Sequence, residues 1–394
     1  MKHRSVTFGI RRVFAAATVV ALLGTSANAE GPTFAVRAKG YVDPDGEVVR
    51  NVTLLVEDGK IKKIGKRVRA PKDWIVLNRS GEYLAPGLVE IHSAVGAMRR
   101  TGEAANSIEA GADAADLFNQ YHHDFDRAAR AGITTIVLAP SSAHLVGGVT
   151  AVVKTGGSDH ENRVVSPGPL KLSLTAQAFA QERVPTSLQG ALATLRDMIA
   201  TARANKDDAS PFAHWARGET AAIVDVEDAA TLRILARFAR EHSLKCIALH
   251  ANEAADRIED AQSLGMPVIL GTYEFHDPFR YTRVPGLLEK AGVAVAFTSE
   301  PPRYAPELLR VGAAIAMSEG MSRKAALAGM TSVPAGIVGL SNRIGSIEVG
   351  KDADFIVMDG DPLRLSSRVE EVFIGGERVF DWKAESERSA SGVR

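Results

Sequence analysis

Apolar residues in the middle of the chain come in short runs, and stretches with helical periodicity separate most of them. Eight runs have the length and composition of buried strands: 89–92, 134–138, 150–153, 170–174, 221–226, 246–250, 267–270 and 293–298. Eight buried strands that alternate with helices are what a closed barrel of parallel strands requires. The pattern therefore predicts an α/β protein with a (β/α)8, TIM-like barrel.

The clearest helical segments between these runs are residues 113–131, 187–204 and 228–242, and further helices are predicted within 305–340. In the last region Ser322 has the place of an N-cap and Gly339 that of a helix stop. An open doubly wound sheet is the alternative fold. No Gly-x-Gly-x-x-Gly follows the first predicted strand, so a dinucleotide site is not indicated.

Both ends of the mature chain have the pattern of short strands and tight turns. Asp58-Gly59 separates two alternating runs and predicts a hairpin, and Gly375-Gly376 does the same near the C-terminus. We therefore expect a composite β-sandwich domain built from both terminal segments. The predicted boundaries are 30–84 and 341–384 for its two parts, 85–340 for the barrel and 385–394 for a tail.

Residues 1–29 have the pattern of an export signal. Basic residues precede the apolar run 13–23, and Ala27-Asn28-Ala29 forms a small-x-small cleavage site. The run is too short for a permanent membrane span, so we expect a periplasmic or secreted protein. Arg11-Arg12 gives only a weak likeness to a twin-arginine signal, which leaves the general secretory route open.

Charge and cysteine content narrow the choice of partners. The 47 basic and 47 acidic residues leave no net charge, which argues against a nucleic-acid partner and against a polybasic membrane anchor. The single cysteine, Cys246, excludes an intramolecular disulfide. Because Cys246 lies in an apolar run, we expect it to be a small buried hydrophobe.

The candidate chemistry lies where the predicted strands end, since that edge of a barrel carries function. Five side chains there can ligate a metal or transfer a proton: His92, Lys171, Asp225, His250 and Glu300. Alternation along the first strand also puts Glu90, His92 and Ala94 on one face. A carboxylate and an imidazole two residues apart can share a metal, whereas Ala94 cannot ligate one.

Each candidate residue also fits a purely structural role, without any part in chemistry. His92 fits a core histidine hydrogen-bonded to the backbone, and Lys171 fits a solvated cation. Asp225 and Glu300 each precede a predicted helix or loop, so both fit helix N-caps or surface carboxylates.

Several motifs resemble the amidohydrolase superfamily and, within it, the imidazolonepropionase-like branch. The similar segments are 86–92, 131–135, 144–148, 325–340 and, as the most specific, 342–363. The resemblance covers nearly all of the mature chain. It implies a (β/α)8 barrel with a composite β-sandwich, and hydrolysis of a C–N bond in a ring or a linear amide by water that a divalent metal, zinc first of all, activates.

The resemblance also implies roles for the candidate residues. His92 and His250 match metal-binding histidines of the family, and Lys171 aligns with a lysine that bridges two metals in some members. Asp225 stands where the family has a histidine, and Glu300 where it has a catalytic aspartate. The implied metal residues are therefore His92, Lys171, Asp225 and His250, with Glu300 as the catalytic carboxylate. The family's second strand-1 histidine is replaced by Ala94.

These departures leave two interpretations open. In the first, the protein is an exported hydrolase with a remodelled metal site, held by His92, His250 and Asp225 or Glu90, that acts on a small amide or lactam. In the second, the metal is absent and the protein is a binding module or the partner of an active paralogue. A homodimer is compatible with both. Convergence of the candidate side chains on one point would favour the first interpretation.

Overall fold

The structure is a computed structural model, and it describes residues 31–98, 101–103, 105–158, 163–179 and 183–390. The predicted export signal, 1–29, lies outside the described residues. Within the described residues, no helix is long and apolar enough to cross a membrane.

The strands of the described chain are β1 (Phe34–Val42), β2 (Val48–Glu57), β3 (Lys60–Gly65), β4 (Ile75–Pro86), β5 (Leu88–Ser93), β6 (Ile133–Leu138), β7 (Val146–Lys154), β8 (Val164–Ser173), β9 (Ala221–Asp225), β10 (Lys245–Leu249), β11 (Val268–Gly271), β12 (Val295–Thr298), β13 (Phe355–Met358), β14 (Val369–Ile374) and β15 (Glu377–Asp381). Its α-helices are α1 (Asp124–Arg130), α2 (Leu188–Ala204), α3 (Pro211–Ala216), α4 (Ala229–Glu241), α5 (Ile258–Ser263), α6 (Phe279–Thr282), α7 (Val284–Lys290), α8 (Leu308–Ser318), α9 (Arg323–Met330), α10 (Ser332–Ile337) and α11 (Trp382–Ala390).

Strands β5 to β12 form one eight-stranded sheet in chain order, and each overlaps one of the eight predicted runs. This nearly closed sheet confirms the predicted α/β barrel. The prediction of parallel strands throughout is wrong at one place, because β7 runs antiparallel to both β6 and β8. The connections on either side of β7 are too short to hold a crossover helix, which a parallel neighbour needs.

Strands from both terminal segments meet in a second, seven-stranded sheet with the order β15-β14-β13-β4-β1-β2-β3. The two predicted hairpins are present: Asp58 and Gly59 join β2 to β3, and Gly375 and Gly376 join β14 to β15. All four residues have positive φ, as tight hairpin turns require. The composite sheet is therefore observed, while its arrangement as a sandwich stays a prediction.

Three predicted helices are confirmed together with their N-caps. Ser187, Asp228 and Ser322 accept hydrogen bonds from backbone N–H groups in the first turns of α2, α4 and α9. The helix predicted over 113–131 is wrong, because only a 3-10 turn (Ala114–Leu117) and the short α1 form there. Between the 3-10 turn and α1, the backbone also bonds to residues outside the segment, with Met98 N–H donating to the Leu117 carbonyl and Asn119 N–H to the Gly96 carbonyl. Helix α11 occupies part of the segment predicted as a tail.

Cys246 lies in β10 and is fully buried, as predicted. Burial raises the pKa of its thiol to about 12. The side chain is therefore a core hydrophobe with little nucleophilic character.

The barrel closes where β12 meets β5, and Glu90 of β5 joins them through its side chain. Its carboxylate is completely buried and accepts hydrogen bonds from the Thr298 hydroxyl, the Ser299 N–H (2.8 Å) and the Ser299 hydroxyl (2.7 Å). It also accepts one from the His92 N–H (3.1 Å). Burial raises the pKa of Glu90 to about 7, against the opposing effect of these donors. Glu90 therefore fastens the two ends of the sheet.

Replacing Glu90 with Gln should destabilise the protein by about 1–3 kcal/mol, because a buried donor would lose its acceptor. Each carboxylate oxygen accepts one backbone N–H, from His92 or from Ser299. Whichever position the amide nitrogen takes, it therefore faces a backbone N–H. The free energy of unfolding in urea measures the loss. Glu47→Gln, at an exposed position, is the matched control. Equal stability of the two variants would contradict this account of the barrel seam.

Candidate metal centre

Three side chains converge at the carboxyl ends of the barrel strands. His92 belongs to β5, His250 directly follows β10, and Glu300 comes two residues after β12. His250 and Glu300 both adopt left-handed backbone conformations, with φ of 59° and 49°. Such a conformation costs roughly 1–2 kcal/mol in a residue other than glycine. It turns the chain sharply at the strand end.

One carboxylate oxygen connects the two imidazoles. Glu300 Oε1 lies 2.9 Å from His250 Nε2 and 3.3 Å from His92 Nδ1. The ligand atoms of the three residues all lie within 4.8 Å of one another. The two rings are nearly perpendicular, at 87°, with centroids 5.8 Å apart. Their nitrogens therefore face a shared space with the carboxylate and are not stacked.

The hydrogen bonding of these nitrogens fits a metal site. The ring nitrogens of His92 and Nε2 of His250 are buried, and among the described residues the Glu300 carboxylate is the only polar group that approaches them. A buried polar atom without a partner needs a compensating ligand. Two imidazoles and a carboxylate are a donor set that zinc and similar divalent ions accept. His92, His250 and Glu300 are therefore the residues that would hold such an ion.

Behind His250 lies a second layer of buried groups. Asp225, at the end of β9, accepts a hydrogen bond from His250 Nδ1 through Oδ1 at 2.7 Å. Its other oxygen, Oδ2, lies 3.6 Å from Lys171 Nζ. Lys171 is 1% exposed and donates to the Ser142 hydroxyl at 3.1 Å. A carboxylate on Nδ1 fixes the imidazole orientation and leaves Nε2 as the ligand atom.

The pKa shifts of the buried histidines and carboxylates follow from these contacts. Burial alone lowers the pKa of His250, but its bonds with Asp225 and Glu300 outweigh that effect and raise it to about 9. Burial also lowers the pKa of His92. Despite burial, Lys171 and His250 hold the pKa of Asp225 well below its usual range. The histidines do the same for Glu300, so both carboxylates are ionised.

The structure thus brings all five predicted residues together but divides them differently from the sequence-based assignment. Glu300, predicted as the catalytic carboxylate, lies in the ligand group. Asp225, predicted as a ligand, has both oxygens turned to His250 and Lys171. Lys171, also predicted as a ligand, points its amino group at hydrogen-bond acceptors.

The alternative ligand Glu90 is corrected as well. Four donors occupy its carboxylate at the barrel seam, so no oxygen is left for the metal centre.

Ser142 and Thr298 were not expected from the sequence. Ser142 lies in the loop before β7 and bonds Lys171, and Thr298 joins Glu90 to the His92 carbonyl oxygen at 3.2 Å. The only available signal was position, because each lies near a strand end. Hydroxyl residues are too common at such places for position alone to select them.

A second group of possible ligands lies at the start of α1. The rings of His122 and His123 stack with centroids 4.8 Å apart, and their nitrogens approach the Asp124 carboxylate at 3.6 and 3.3 Å. The N-terminus of a helix carries partial positive charge, which disfavours a cation there. Both histidines precede the helix, and His123 is its N-cap residue.

Comparison with known proteins agrees with the fold and the site. The profile of the amidohydrolase family matches residues 191–380, slightly less than half of the chain and the part that holds Asp225, His250 and Glu300. An amidohydrolase from Thermotoga maritima MSB8 has a structure that superimposes with a TM-score of 0.80 at 26% identity, covering 88% of this chain and all of the other. The profile match, the curated relative described below and this superposition support the amidohydrolase superfamily.

Further relatives match less of this chain or match it at lower identity. The amidohydrolase tasK of Hapsidospora irregularis is 22% identical over 83% of this chain. This chain spans only 40% of that relative's length. A dihydroorotase from Geotalea daltonii is 37% identical over 14% of this chain and 13% of its own. The structure of molinate hydrolase shares the fold, with a TM-score of 0.57 at 17% identity over 89% of this chain and 95% of its own.

Replacing Asp225 with Asn should weaken metal binding about 10- to 100-fold, the usual effect of losing a carboxylate behind a metal-binding histidine. The neutral amide cannot hold the Nδ1–H of His250 as firmly. Competition with a chelator of known zinc affinity measures the change. Asp228→Asn is the control, since Asp228 caps α4 three residues further along. An unchanged affinity in Asp225→Asn would show that Asp225 does not orient His250.

Proposed function

We propose that the protein is a hydrolase with a single divalent metal ion, held by His92, His250 and Glu300, that cleaves a C–N bond in a small amide or lactam. The observation that carries the proposal is the convergence of three ligand atoms whose buried nitrogens lack other partners. Membership of the amidohydrolase superfamily agrees with it. Placement in the imidazolonepropionase-like branch and export to the periplasm or beyond are parts of the proposal that rest on the sequence.

The protein's own groups have distinct tasks in this proposal. A divalent ion at the three ligands supplies Lewis-acid activation of water and of the scissile carbonyl. His250 is kept in the correct orientation by Asp225. Glu300 uses Oε1 toward the histidines, and no described residue donates a hydrogen bond to its Oε2. That oxygen is therefore available to accept and return a proton during hydrolysis.

The substrate panel takes its range from structures of similar fold. Two of these structures are a molinate hydrolase and a β-aspartyl dipeptidase of Fervidobacterium islandicum, at 17% and 15% identity. Because identities this low support the fold alone, the panel of substrates should include lactams, acyl amides and dipeptides together.

One observation favours the second interpretation, a non-catalytic member. Lys171, Asp225, protonated His250 and Glu300 alternate in charge, so the buried network is neutral without any metal. A neutral network of this kind is a stable end state for a site that has lost its ion. Metal content decides between the two interpretations.

The protein loaded with zinc or manganese should contain about one equivalent of metal, as a centre with three protein ligands holds a single ion. His92→Ala and His250→Ala should abolish the binding, while His214→Ala, at a half-exposed residue of α3, should not. Mass spectrometry of the metal after gel filtration gives the stoichiometry. Hydrolysis of the substrate panel should fall about 10²- to 10⁴-fold in Glu300→Gln. A protein that takes up no metal under any loading condition would establish the non-catalytic interpretation.

A further inference from the structure

Lys171 is the most deeply buried cation of the site, and its surroundings determine what it can do. It lies at the carboxyl end of β8 and is 1% exposed. Its Nζ lies 3.1 Å from the Ser142 hydroxyl, 3.3 Å from the Leu172 carbonyl oxygen and 3.6 Å from Asp225 Oδ2. All three neighbours can accept a hydrogen bond.

Three acceptors match the three N–H donors of an ammonium group. The Leu172 carbonyl and the Asp225 carboxylate can only accept, and Asp225 is a buried anion that needs a positive partner. An ammonium nitrogen has no lone pair, so it cannot coordinate a metal ion. The surroundings of Lys171 therefore suit a permanent cation.

We propose that Lys171 is a resident cation of the metal centre and not one of its ligands. Its ammonium group pairs with Asp225 behind His250 and so keeps a positive charge in the layer next to the ligands, which limits the centre to one divalent ion. Lys171 is then a positioning residue. This inference rests on the proposed metal-dependent function and adds the number of ions and the role of the lysine.

The proposal predicts that metal binding tightens when the charge of Lys171 is removed. If Lys171 were a ligand, the same change would weaken metal binding. Removing a ligand weakens metal binding. Removing a neighbouring ammonium takes away repulsion on the incoming cation and leaves the negative charge of Asp225 uncompensated, so binding should tighten. Lys171 is separated from His250 by one carboxylate, because Asp225 contacts both residues.

The experiment compares zinc affinity in wild-type protein, Lys171→Met, Lys171→Gln and Lys171→Arg by chelator competition at one pH. We expect the two neutral variants to bind zinc several-fold to about tenfold more tightly. The arginine variant keeps the charge and should stay close to wild type. Circular dichroism checks that each variant is folded, and the use of three variants keeps the test valid if one of them is not.

Lys154→Met is the matched control. Lys154 is also buried and paired with carboxylates, Asp354 and Asp352, but it lies in β7 beside the start of β6, at the opposite end of the barrel. Its loss should lower stability and leave zinc affinity unchanged. This control separates the local effect of charge at the metal centre from a general effect of losing a buried lysine.

Weaker zinc binding in Lys171→Met and Lys171→Gln would overturn the inference. So would a second equivalent of zinc that appears when bicarbonate is added and disappears in Lys171→Met, since CO₂ converts a neutral lysine amine into a carbamate that can ligate. Either result leaves the proposed function standing. A wild-type protein that binds no zinc would instead overturn the proposed function, and this inference with it.

Discussion

The buried carboxylate of Glu90 is the interaction on which the geometry of the metal centre depends. Strands β5 and β12 are the two ends of the eight-stranded sheet, and they are not paired as neighbours. Glu90 accepts donors from both sides of this seam. His92 lies two residues after Glu90, and Glu300 directly follows Ser299, which Glu90 holds. The same carboxylate that closes the barrel therefore sets the distance between two of the three ligands.

The charges of the site explain how so many ionisable groups can be buried together. Lys171, Asp225, His250 and Glu300 form a series in which each charge touches one of opposite sign. For Asp225, His250 and Glu300, the neighbouring charges outweigh desolvation, which is the condition under which buried ions persist. The nitrogens that face the shared space have the Glu300 carboxylate as their polar neighbour among the described residues. The network thus stabilises its own framework and leaves the ligand atoms directed at the space that an ion would occupy.

Much of this arrangement was predictable from the sequence, and the limits have physical causes. Apolar runs mark buried strands whatever their direction, so all eight barrel strands were located but the reversal of β7 was not. Position at a strand end identified His92, His250 and Glu300, because parallel strands bring those ends to one edge. Whether a carboxylate binds the metal or holds another side chain in place depends on which groups its oxygens contact. That choice separates Glu300 from Asp225 and Glu90, and it is made by tertiary contacts alone.

The presence of Ala94, where the family has a histidine, is compatible with a site of three ligands. The two imidazoles that remain are supplied by β5 and by the end of β10, and Glu300 completes a set of three donors from three strands. A set of three leaves an open coordination position for a zinc ion, as catalysis by activated water requires. Asp225 and Lys171 meanwhile form an ion pair in which each balances the charge of the other. In the proposed function, the departures from the family pattern therefore leave one small group of ligands with a charged support behind it.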